Sequence, residues 1–448
     1  MLLRTAILLI DMSPAPIVVE RAQSRLVEEE DWTFAGVDTR YMTHGLHPYP
    51  ARMIPQISRK LINLFVRSKQ DVVLDPFMGS GGVLVESLLK GNDAIGVDLN
   101  PLAVLIAKVK TRPLNPKTLN ENARMLLESI SHDIESGVSY SPPTIPRLDF
   151  WYLPNAIREL AIIRHYVLEL EEKDNAIADF FKVCFSLAAR KTSNIRNGEF
   201  KLYRKRKEDL QKYNPKPLRV FNEIVNSNIA KMREFYETMQ GIKAEAHILK
   251  GNTKQLLEIN PKVLHEGSAT LVVTSPPYGD SHTTVAYGQY SRYSSLWLGF
   301  DEEEVFKVDS GALGGKPISD FNDLESPTLD NAISEVRNAG INAHDETRAR
   351  EVAAFFADID KCMAEIAKAL KKGQSHCCFV LGNRTVRRVQ LLTDKILIEI
   401  GKKYGYQHLV TKYREIPTKT IPWVNAPENI AGKVVETMNK ETIVIWKF

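Results

Sequence analysis

Short apolar runs alternate with helical patterns in the first quarter of the chain. Residues 71–75 predict a buried strand, 83–90 a helix and 94–98 a second strand. Asn100 and Pro101 then open another helix, because proline is favoured at the first helical position. Both strands are apolar throughout, which is typical of a parallel sheet covered by helices on its two faces.

Helical periodicity replaces this alternation between residues 111 and 245, with patterns at 155–171, 175–189 and 219–240. A segment of this length is too long for a loop and predicts an inserted helical subdomain. The other expected elements are a polar, glycine-rich segment at 279–345, helices at 348–371 and 389–403, and strands at 246–250, 269–274, 377–381, 407–413 and 442–446.

These elements predict an α/β fold, a doubly wound, mostly parallel seven-stranded sheet with helices on both faces. The helical subdomain interrupts that sheet. The expected parts are an N-terminal arm (1–40), a first sheet segment (41–112), the inserted helical subdomain (113–245) and a second sheet segment (246–448) that includes the 279–345 loop region.

Composition narrows the class of protein. The chain has 448 residues, 44% of them hydrophobic, and a formal net charge of +4. A membrane span needs about 20 consecutive apolar residues, and the best run is Ala6–Ile10, so we expect a cytoplasmic protein with no membrane partner. The cysteines lack the spacing of a zinc site or a disulfide framework, and none follows a proline: Cys184, Cys362, Cys377 and Cys378. No metal site is predicted.

A glycine-rich turn connects the first strand to the first helix and consists of Asp75-Pro76-Phe77-Met78-Gly79-Ser80-Gly81-Gly82. Glycines there let the backbone approach a ligand closely, and the following helix offers free N–H groups. The turn therefore predicts a nucleotide-type cofactor. It is not a dinucleotide fingerprint, because Leu84 occupies the third glycine position, and it lacks the Gly-Lys-Ser/Thr of a phosphate loop. The alternative is an ordinary strand–helix turn.

An acidic residue, Asp98, ends the second strand. A carboxylate at this position can accept hydrogen bonds from both ribose hydroxyls of an adenosine. The alternative is that Asp98 caps the helix that Asn100 and Pro101 open. Together, the turn and Asp98 favour a cofactor that contains adenosine.

A second motif, Thr274-Ser275-Pro276-Pro277-Tyr278, follows the strand at 269–274. The two prolines end the strand and fix the chain in an extended conformation with outward carbonyls. The Ser275 hydroxyl and the Pro276 carbonyl could then each accept one N–H of an exocyclic amine and hold its nitrogen in a reactive geometry. Tyr278 could stack on an extruded base. The alternative is an ordinary loop at a strand end.

The two motifs resemble those of the S-adenosylmethionine-dependent DNA amino-methyltransferases. The stretch from Asp75 to Gly81 is similar to their cofactor motif, and Ser275-Pro276-Pro277-Tyr278 is similar to the form of the catalytic motif typical of cytosine-N4 enzymes. His47-Pro48-Tyr49-Pro50-Ala51-Arg52 resembles the segment that packs on the methionine end of the cofactor. Gly251-Asn252 stands near the adenine position, with Asn252 in place of the more usual Asp. The resemblance extends over residues 40–112 and 245–448.

The resemblance implies S-adenosyl-L-methionine as cofactor and a Rossmann-like methyltransferase fold. It implies that Asp98 holds the ribose and that Asn252 lies beside the adenine amine. The implied cofactor-binding residues are His47, Tyr49, Pro50, Asp75, Pro76, Phe77, Gly79, Ser80, Gly81, Asp98, Leu99 and Asn252. The implied catalytic residues are Ser275, Pro276, Pro277 and Tyr278. Carbon methylation needs a Pro-Cys nucleophile, and its absence argues against that reaction.

Positive charge is concentrated between Arg190 and Arg219, where eleven Lys or Arg and three acids give a local net charge of +8. Phe200, Tyr203 and Tyr213 are interleaved with these charges. The segment predicts contacts to nucleic-acid phosphates and bases, and the alternative is a solvated charge run. The expected DNA-binding residues are Arg190, Lys191, Arg196, Lys201, Arg204 and Lys205.

The polar and aromatic segment 279–293 follows the catalytic motif directly. It is expected to be a flexible lid or base-contacting loop, with an ordinary surface loop as the alternative. Arg414, Lys419, Pro422 and Trp423 are expected to border the substrate cleft.

The predicted function is methyl transfer from S-adenosylmethionine to the exocyclic amine of a flipped DNA base, cytosine N4 in preference to adenine N6. One rival is an RNA amino-methyltransferase that acts on the guanine amine. Another is a non-catalytic nucleic-acid-binding protein that retains a vestigial cofactor pocket. DNA is the expected partner, and a cognate restriction endonuclease is a second candidate.

Overall fold

The structure is a computed structural model. It describes residue 25 and residues 27–416 except 197, 199, 281–283, 317 and 319–322, together with 424–425, 435–436 and 440–448. Most of the expected arm and residues Lys419, Pro422 and Trp423 therefore lie outside the described residues. Within those residues, no helix is both long and apolar enough to cross a membrane.

The strands are β1 Val73–Asp75, β2 Ala94–Asp98, β3 Ala246–Lys250, β4 Leu271–Thr274, β5 His376–Gly382, β6 Arg384–Val386, β7 Val389–Leu391, β8 Gln407–Glu415, β9 Val424–Asn425, β10 Val435–Glu436 and β11 Lys440–Lys447. Seven form one sheet in the order β3-β2-β1-β4-β5-β11-β8. Its first five strands are parallel, and β11 is antiparallel to both β5 and β8. The predicted doubly wound, mostly parallel seven-stranded sheet is confirmed.

The α-helices span Pro55–Phe65, Gly82–Lys90, Pro101–Thr111, Pro116–Glu135, Leu148–Trp151, Pro154–Glu169, Asn175–Lys191, Lys207–Gln211, Pro217–Thr238, Leu256–Ile259, Tyr287–Leu298, Glu302–Gly311, Pro327–Arg337, Asp345–Ala369 and Thr393–Gly401. Short 3-10 helices span Met42–Gly45, Leu170–Glu172, Thr253–Gln255 and Lys402–Tyr404. Proline opens six of the α-helices, because its fixed φ suits the first helical turn and its missing N–H is not needed there.

Alternate residues of the central strands face two different apolar cores. Val73 of β1 and Val273 of β4 pack with the helix Pro55–Phe65 on one face. Leu74 and Val272 pack with the helix Asp345–Ala369 on the other. Burial of both faces explains why these strands contain so few polar residues.

The helices of the 113–245 region share one apolar core with helices next to the sheet. Phe181 and Phe185 on the helix Asn175–Lys191 belong to the same buried cluster as Leu105 and Trp297, which lie on Pro101–Thr111 and Tyr287–Leu298. The insertion therefore packs directly against the sheet-covering layer. Its treatment as a separate subdomain stays a prediction.

Two expected elements differ from the structure. The helix expected at 389–403 is wrong at its start, because Val389–Leu391 is strand β7, paired with β6, and the helix begins at Thr393. Arg387 and Arg388 have positive φ values of 49° and 66° and form the hairpin turn between these strands. This turn places Val389 and Leu391 in a strand, although their apolar side chains continue the helical pattern of the residues that follow.

The expected loop region at 279–345 contains three helices, Tyr287–Leu298, Glu302–Gly311 and Pro327–Arg337. Tyr290, Tyr293 and Trp297 are buried in the core shared with the helix Asn175–Lys191. Tertiary burial of these aromatic side chains stabilises helix in a segment whose polar, glycine-containing sequence favours loop. A flexible loop over 287–293 is therefore wrong, and residues 281–283 lie outside the described residues.

Candidate active site

The glycine-rich turn and the catalytic motif lie next to each other. β1 and β4 are adjacent and parallel, with Leu74 opposite Val272, so the chain leaves both strands at the same edge of the sheet. The Thr274 hydroxyl donates a hydrogen bond to Asp75 Oδ1 at 2.6 Å. The two motifs, far apart in sequence, therefore share the carboxyl edge where open α/β sheets bind ligands.

Two glycines give the turn its shape. Gly79 and Gly81 have φ values of +50° and +78°, a left-handed region that favours glycine. A Cβ atom on Gly81 would lie 2.9 Å from the Ala107 Cβ, and one on Gly79 would lie 3.6 Å from the Tyr49 ring. A side chain at Gly81 would therefore press on the helix Pro101–Thr111, and the left-handed φ values of both glycines keep the turn tight after β1.

Asp98 lies at the end of β2 and its carboxylate is held by the backbone. Oδ2 accepts the Gly79 N–H at 2.9 Å, and Oδ1 accepts the Asn100 N–H at 2.8 Å. Asn100, whose side chain accepts from Leu102 N, caps the following helix, so the cap alternative for Asp98 is wrong. Burial raises the pKa of Asp98 to about 7, although the side chain remains partly exposed at the cleft.

Asp75 has a different environment from Asp98. It is buried, and its Oδ1 accepts from the Phe77 N–H at 3.2 Å as well as from Thr274. Burial raises its pKa to about 7. Asp75 and the buried Pro76 form the base of the turn, while Phe77 is half-buried beside it.

Ser80 contacts a buried lysine that the sequence analysis did not identify. Lys110, on the helix Pro101–Thr111, is fully buried and its Nζ donates to Ser80 Oγ at 2.9 Å. Burial lowers the pKa of Lys110 well below its usual value. Lys110 follows Val109 at the end of a mostly apolar helix, but the exposed Lys108 lies two residues before it, so the sequence pattern gives no signal that singles out Lys110.

The segment His47–Arg52 lies beside the turn. Tyr49 is buried, and its hydroxyl accepts from Asn100 Nδ2 at 3.1 Å. His47 is 1% exposed, and neither of its ring nitrogens has a hydrogen-bond partner among the residues that the structure describes. Burial lowers the pKa of His47 well below its usual value, so its ring is neutral at pH 7. Pro50 is also buried here.

Asn252 and Leu99 lie at the far side of the same edge. The Gly251 N–H donates to the Asp98 carbonyl at 3.1 Å, which places Asn252 one strand away from Asp98. The Asn252 side chain accepts from Lys254 N and donates to the Gly311 carbonyl at 3.2 Å. Leu99 also lies close to Gly311, because a Cβ atom added to Gly311 would lie 2.8 Å from the Leu99 Cδ2 atom. The helix Glu302–Gly311 therefore ends beside this part of the cleft.

The catalytic motif presents acceptor atoms. The Ser275 hydroxyl donates to the Val380 carbonyl of β5 at 3.0 Å, which directs its proton away and leaves oxygen lone pairs as acceptors. Ser275, Pro277 and Tyr278 are partly exposed, whereas Pro276 is buried. An amine that donates two N–H groups suits such an acceptor surface.

A polar chain continues behind Tyr278. Its hydroxyl donates to Glu441 Oε1 at 3.0 Å, and the other Glu441 oxygen pairs with the Arg414 guanidinium. Arg414 donates in turn to the carbonyls of Trp32, at 2.8 Å, and Thr33, at 3.3 Å. Burial, with the nearby Glu441 carboxylate, raises the pKa of Tyr278 well above its usual value. Arg414 thus supports the catalytic motif instead of bordering the cleft.

The expected DNA-binding residues fall into two groups. Arg190 donates to the Tyr290 carbonyl at 2.8 Å, and Arg204 donates to the Phe150 carbonyl at 2.9 Å. Lys205 donates to the carbonyls of Ser193 and Ile195, and burial lowers its pKa to about 8. Each of these charged groups donates to backbone carbonyls of the protein, and contact of these three residues with DNA stays a prediction.

Lys191 and Arg196 make up the second group, because both are exposed, and Lys201 is half-buried. Arg196 Nε donates to the Arg204 carbonyl at 3.2 Å, so part of its guanidinium is also held. The basic segment is thus anchored by some of its own cations and presents others to solvent. Phosphate contact by Lys191, Arg196 and Lys201 stays a prediction.

The residues at the sheet edge fit the adenosylmethionine group. A carboxylate at the end of β2, the glycine-rich turn after β1 and the buried Tyr49 lie next to one another, and no group of residues suited to a metal occurs in the described part of the chain. The four cysteines are buried, and burial raises their thiol pKa values, so none is an activated nucleophile. Fold and site define the class of S-adenosylmethionine-dependent α/β methyltransferases.

Comparison with known proteins specifies the family. A family model described as DNA methylase matches residues 21–109. The Type II methyltransferase M.MvaI of Kocuria varians is 37% identical over 428 residues, which cover 92% of this chain and 93% of that protein. The Type II methyltransferase M.MjaII of Methanocaldococcus jannaschii is 38% identical over 81 residues, 17% of this chain and 14% of that protein.

A shorter similarity links the chain to an RNA-modifying enzyme. The tRNA (guanine(10)-N2)-dimethyltransferase of Methanocaldococcus jannaschii is 42% identical over 52 residues, 12% of this chain and 15% of that protein. The near full-length relationship to M.MvaI decides the assignment. The chain belongs to the DNA amino-methyltransferases of the N4/N6 type, and its methyl donor is S-adenosylmethionine.

Proposed function

We propose that the protein methylates the N4 amine of cytosine in DNA, by direct transfer to a base turned out of the duplex. The hydrogen bond from Thr274 to Asp75 carries the proposal, because it places the cofactor turn and the Ser275 motif side by side. Ser275, with its proton directed to Val380, is an acceptor suited to an amine N–H. The Ser-Pro-Pro-Tyr form of the motif supports cytosine.

In this proposal Asp98 binds the ribose hydroxyls, and Phe77, Gly79 and Gly81 lie along the cofactor. S-adenosylmethionine supplies an electrophilic methyl group on sulfur. Ser275 Oγ and the Pro276 carbonyl each accept one N–H and orient the amine nitrogen toward that methyl. The N–C bond forms as the S–C bond breaks, and the sulfur keeps the electron pair. The cationic amine then releases a proton to water or to a nearby carbonyl.

Analysis of modified nucleosides tests the target base. DNA from an expression host that carries the gene is digested and its nucleosides are separated by mass spectrometry, with an empty-vector host as control. N4-methylcytosine supports the proposal. N6-methyladenine as the new product would overturn the choice of cytosine, although it would leave the family and the reaction class intact. Single-molecule sequencing of the same DNA would give the sequence context.

Methylation assays on matched DNA and RNA test the choice of nucleic acid. The short similarity to a tRNA (guanine-N2) enzyme makes RNA the specific rival. The purified chain is incubated with labelled S-adenosylmethionine and DNA or RNA of the same sequence. Label in DNA supports the proposal, and label in RNA alone would refute it.

Replacement of Ser275 separates an enzyme from a binding protein with a vestigial pocket. Ser275→Ala removes one acceptor of the amine, so turnover should fall while cofactor affinity remains unchanged. Ser136→Ala, at an exposed serine after the helix Pro116–Glu135, is the matched control. An unchanged phenotype for Ser275→Ala would favour the non-catalytic alternative.

The proposal includes a cytoplasmic role beside a cognate restriction endonuclease. Two relatives carry the description Type II methyltransferase. Methylation of a recognition site by this chain would protect host DNA from such an enzyme. Digestion of DNA from the expression host with endonucleases of known specificity tests this partner class, since a protected site identifies the shared sequence.

A further inference from the structure

A cavity outside the sheet edge lies between the basic segment and the helix Tyr287–Leu298. Its volume is about 490 Å³, within the range of roughly 300–1,000 Å³ that ligand pockets occupy. The lining residues used below are Pro48, Leu187, Arg190, Lys191, Arg196, Phe200 and Tyr290.

The walls of the cavity are aromatic and aliphatic. The rings of Phe200 and Tyr290 meet edge to face, with centroids 6.4 Å apart and planes at 61°. Phe200 is 38% exposed, an unusual position for a phenylalanine, whereas Tyr290 is buried. Leu187 and Pro48 add apolar surface. Such walls suit the flat face of an unstacked base, which binds aromatic side chains without regard to sequence.

The mouth of the cavity is cationic. The Arg190 guanidinium lies 3.8 Å from the centre of the Tyr290 ring and donates to the Tyr290 carbonyl, so it fixes that wall. Lys191 and Arg196 are exposed beside it. Apolar walls with positive charge at the mouth match a ligand with a flat ring and an attached phosphate.

Tyr290 connects this cavity to the cofactor cleft. Its hydroxyl donates to the Pro48 carbonyl at 2.6 Å, and its ring lies 6.0 Å, edge to face, from the Tyr49 ring. Tyr49 in turn lies against Gly79 of the cofactor turn. The cavity and the cofactor turn therefore share one wall, made by Tyr290 and Tyr49.

We propose that this cavity receives one unstacked nucleotide of the DNA substrate, distinct from the target nucleotide. Its base lies against Phe200 and Tyr290, and its phosphate contacts Lys191 and Arg196. The proposal rests on the proposed function, because it takes DNA as the substrate. In this proposal the basic segment contacts one particular nucleotide of the DNA, and its role is more specific than a general electrostatic attraction to the phosphate backbone.

Binding of the full-length chain to a DNA fragment that it methylates tests the proposal, with binding measured separately from turnover over a series of salt concentrations. Phe200→Ala should weaken DNA binding about tenfold through lost stacking, with an unchanged salt slope. Lys191→Ala/Arg196→Ala should reduce the slope of log K against log salt by about 0.9, the effect of one lost phosphate contact. Affinity for S-adenosylhomocysteine should stay unchanged in both.

Matched controls isolate the cavity. Phe306→Ala removes an exposed phenylalanine of the helix Glu302–Gly311, outside the basic segment, and Lys117→Ala/Arg124→Ala removes two exposed cations from the helix Pro116–Glu135. Cavity variants that bind DNA no more weakly than these controls would overturn the proposal, as would a loss of cofactor affinity in Phe200→Ala. A wild-type chain that methylates only RNA would instead count against the proposed function, so the two failures are distinguishable.

Discussion

The Tyr278 hydroxyl donates to Glu441 Oε1 across 3.0 Å and joins the catalytic motif to strand β11. Glu441 pairs with Arg414, whose side chain is 4% exposed and is anchored on the carbonyls of Trp32 and Thr33. A tyrosine whose hydroxyl is fixed in this way has a defined ring plane. The chain segment before the sheet thus influences the orientation of the residue expected to stack on the target base.

Glu441→Gln should lower kcat with little effect on cofactor affinity. The change removes the charge that holds the Tyr278 hydroxyl and the Arg414 guanidinium, and charge-assisted hydrogen bonds contribute about 1.5–3 kcal/mol. We expect a fall in kcat of roughly tenfold or more, measured with saturating DNA and cofactor. Glu415→Gln, at an exposed carboxylate at the end of β8, is the control.

A double-mutant cycle distinguishes positioning from a general loss of folding. In a Tyr278→Phe background the hydroxyl is gone, so Glu441→Gln should lower kcat much less than it does in the wild type. Additive effects in the cycle would contradict a role of Glu441 through Tyr278. Thermal unfolding of each variant is recorded in parallel.

The pH dependence of unfolding should reflect the buried Asp75. Its pKa is raised by burial from 3.8 to about 7, so between these values the native state binds a proton that the unfolded state has lost. Stability contributed by the protonated carboxyl therefore decreases as pH rises from about 4 to 7, by on the order of 4 kcal/mol. Denaturant unfolding at pH 5 and pH 8 measures the part of this change above pH 5, on the order of 3 kcal/mol.

Asp75→Asn should reduce the steepness of that profile, since the amide does not ionise in this range, whereas Asp98, whose pKa burial also raises to about 7, keeps its own contribution. Asp149→Asn, at an exposed position, should keep the wild-type profile. An Asp75→Asn protein that loses as much stability between pH 5 and pH 8 as the wild type would show that another group causes the change.

Lys110→Met should weaken cofactor binding without a loss of folding stability. Methionine fills a similar volume, but it cannot donate to Ser80 Oγ, which the Lys110 amine contacts at 2.9 Å. Loss of one hydrogen bond of about 1 kcal/mol corresponds to an increase of roughly fivefold in the Kd for S-adenosylhomocysteine. Calorimetry measures this, and Lys108→Met, an exposed lysine on the same helix, provides the comparison. Equal affinities in the two variants would exclude a role of Lys110 in positioning the turn.

Local sequence predicted the centre of the fold better than its edges. The bounds of β2 and β3 agree with the predicted ones, and in β2 burial on both faces leaves a continuous apolar signal. The helix Tyr287–Leu298 was missed, since contacts with Asn175–Lys191, distant in sequence, stabilise it. Pattern alone cannot show such contacts.

The residues of the candidate site also differ in how well the local sequence predicts them. The turn at Asp75 and the motif at Ser275 were found because each combines special backbone chemistry with the end of a strand. Glu441 and Arg414 have no local signature, and only the antiparallel pairing of β11 with β8 brings them opposite each other. The charge count predicts that Arg204 and Lys205 contact DNA, and it cannot show the backbone carbonyls to which these side chains donate.

Asp98→Asn should weaken cofactor binding more than any other single change at the sheet edge. The carboxylate keeps acceptor capacity beyond its bonds to the Gly79 and Asn100 N–H groups, and ribose hydroxyls would use it. Replacement by an amide loses a charge-assisted acceptor of about 1.5–3 kcal/mol, so the Kd for S-adenosylhomocysteine should rise roughly 10-fold to 100-fold. Because burial raises the Asp98 pKa to about 7, wild-type affinity should also fall as pH decreases from 8 to 6. Asp93→Asn, at the exposed start of β2, should bind like the wild type. An Asp98→Asn protein with wild-type affinity and the same pH dependence would remove Asp98 from the cofactor site.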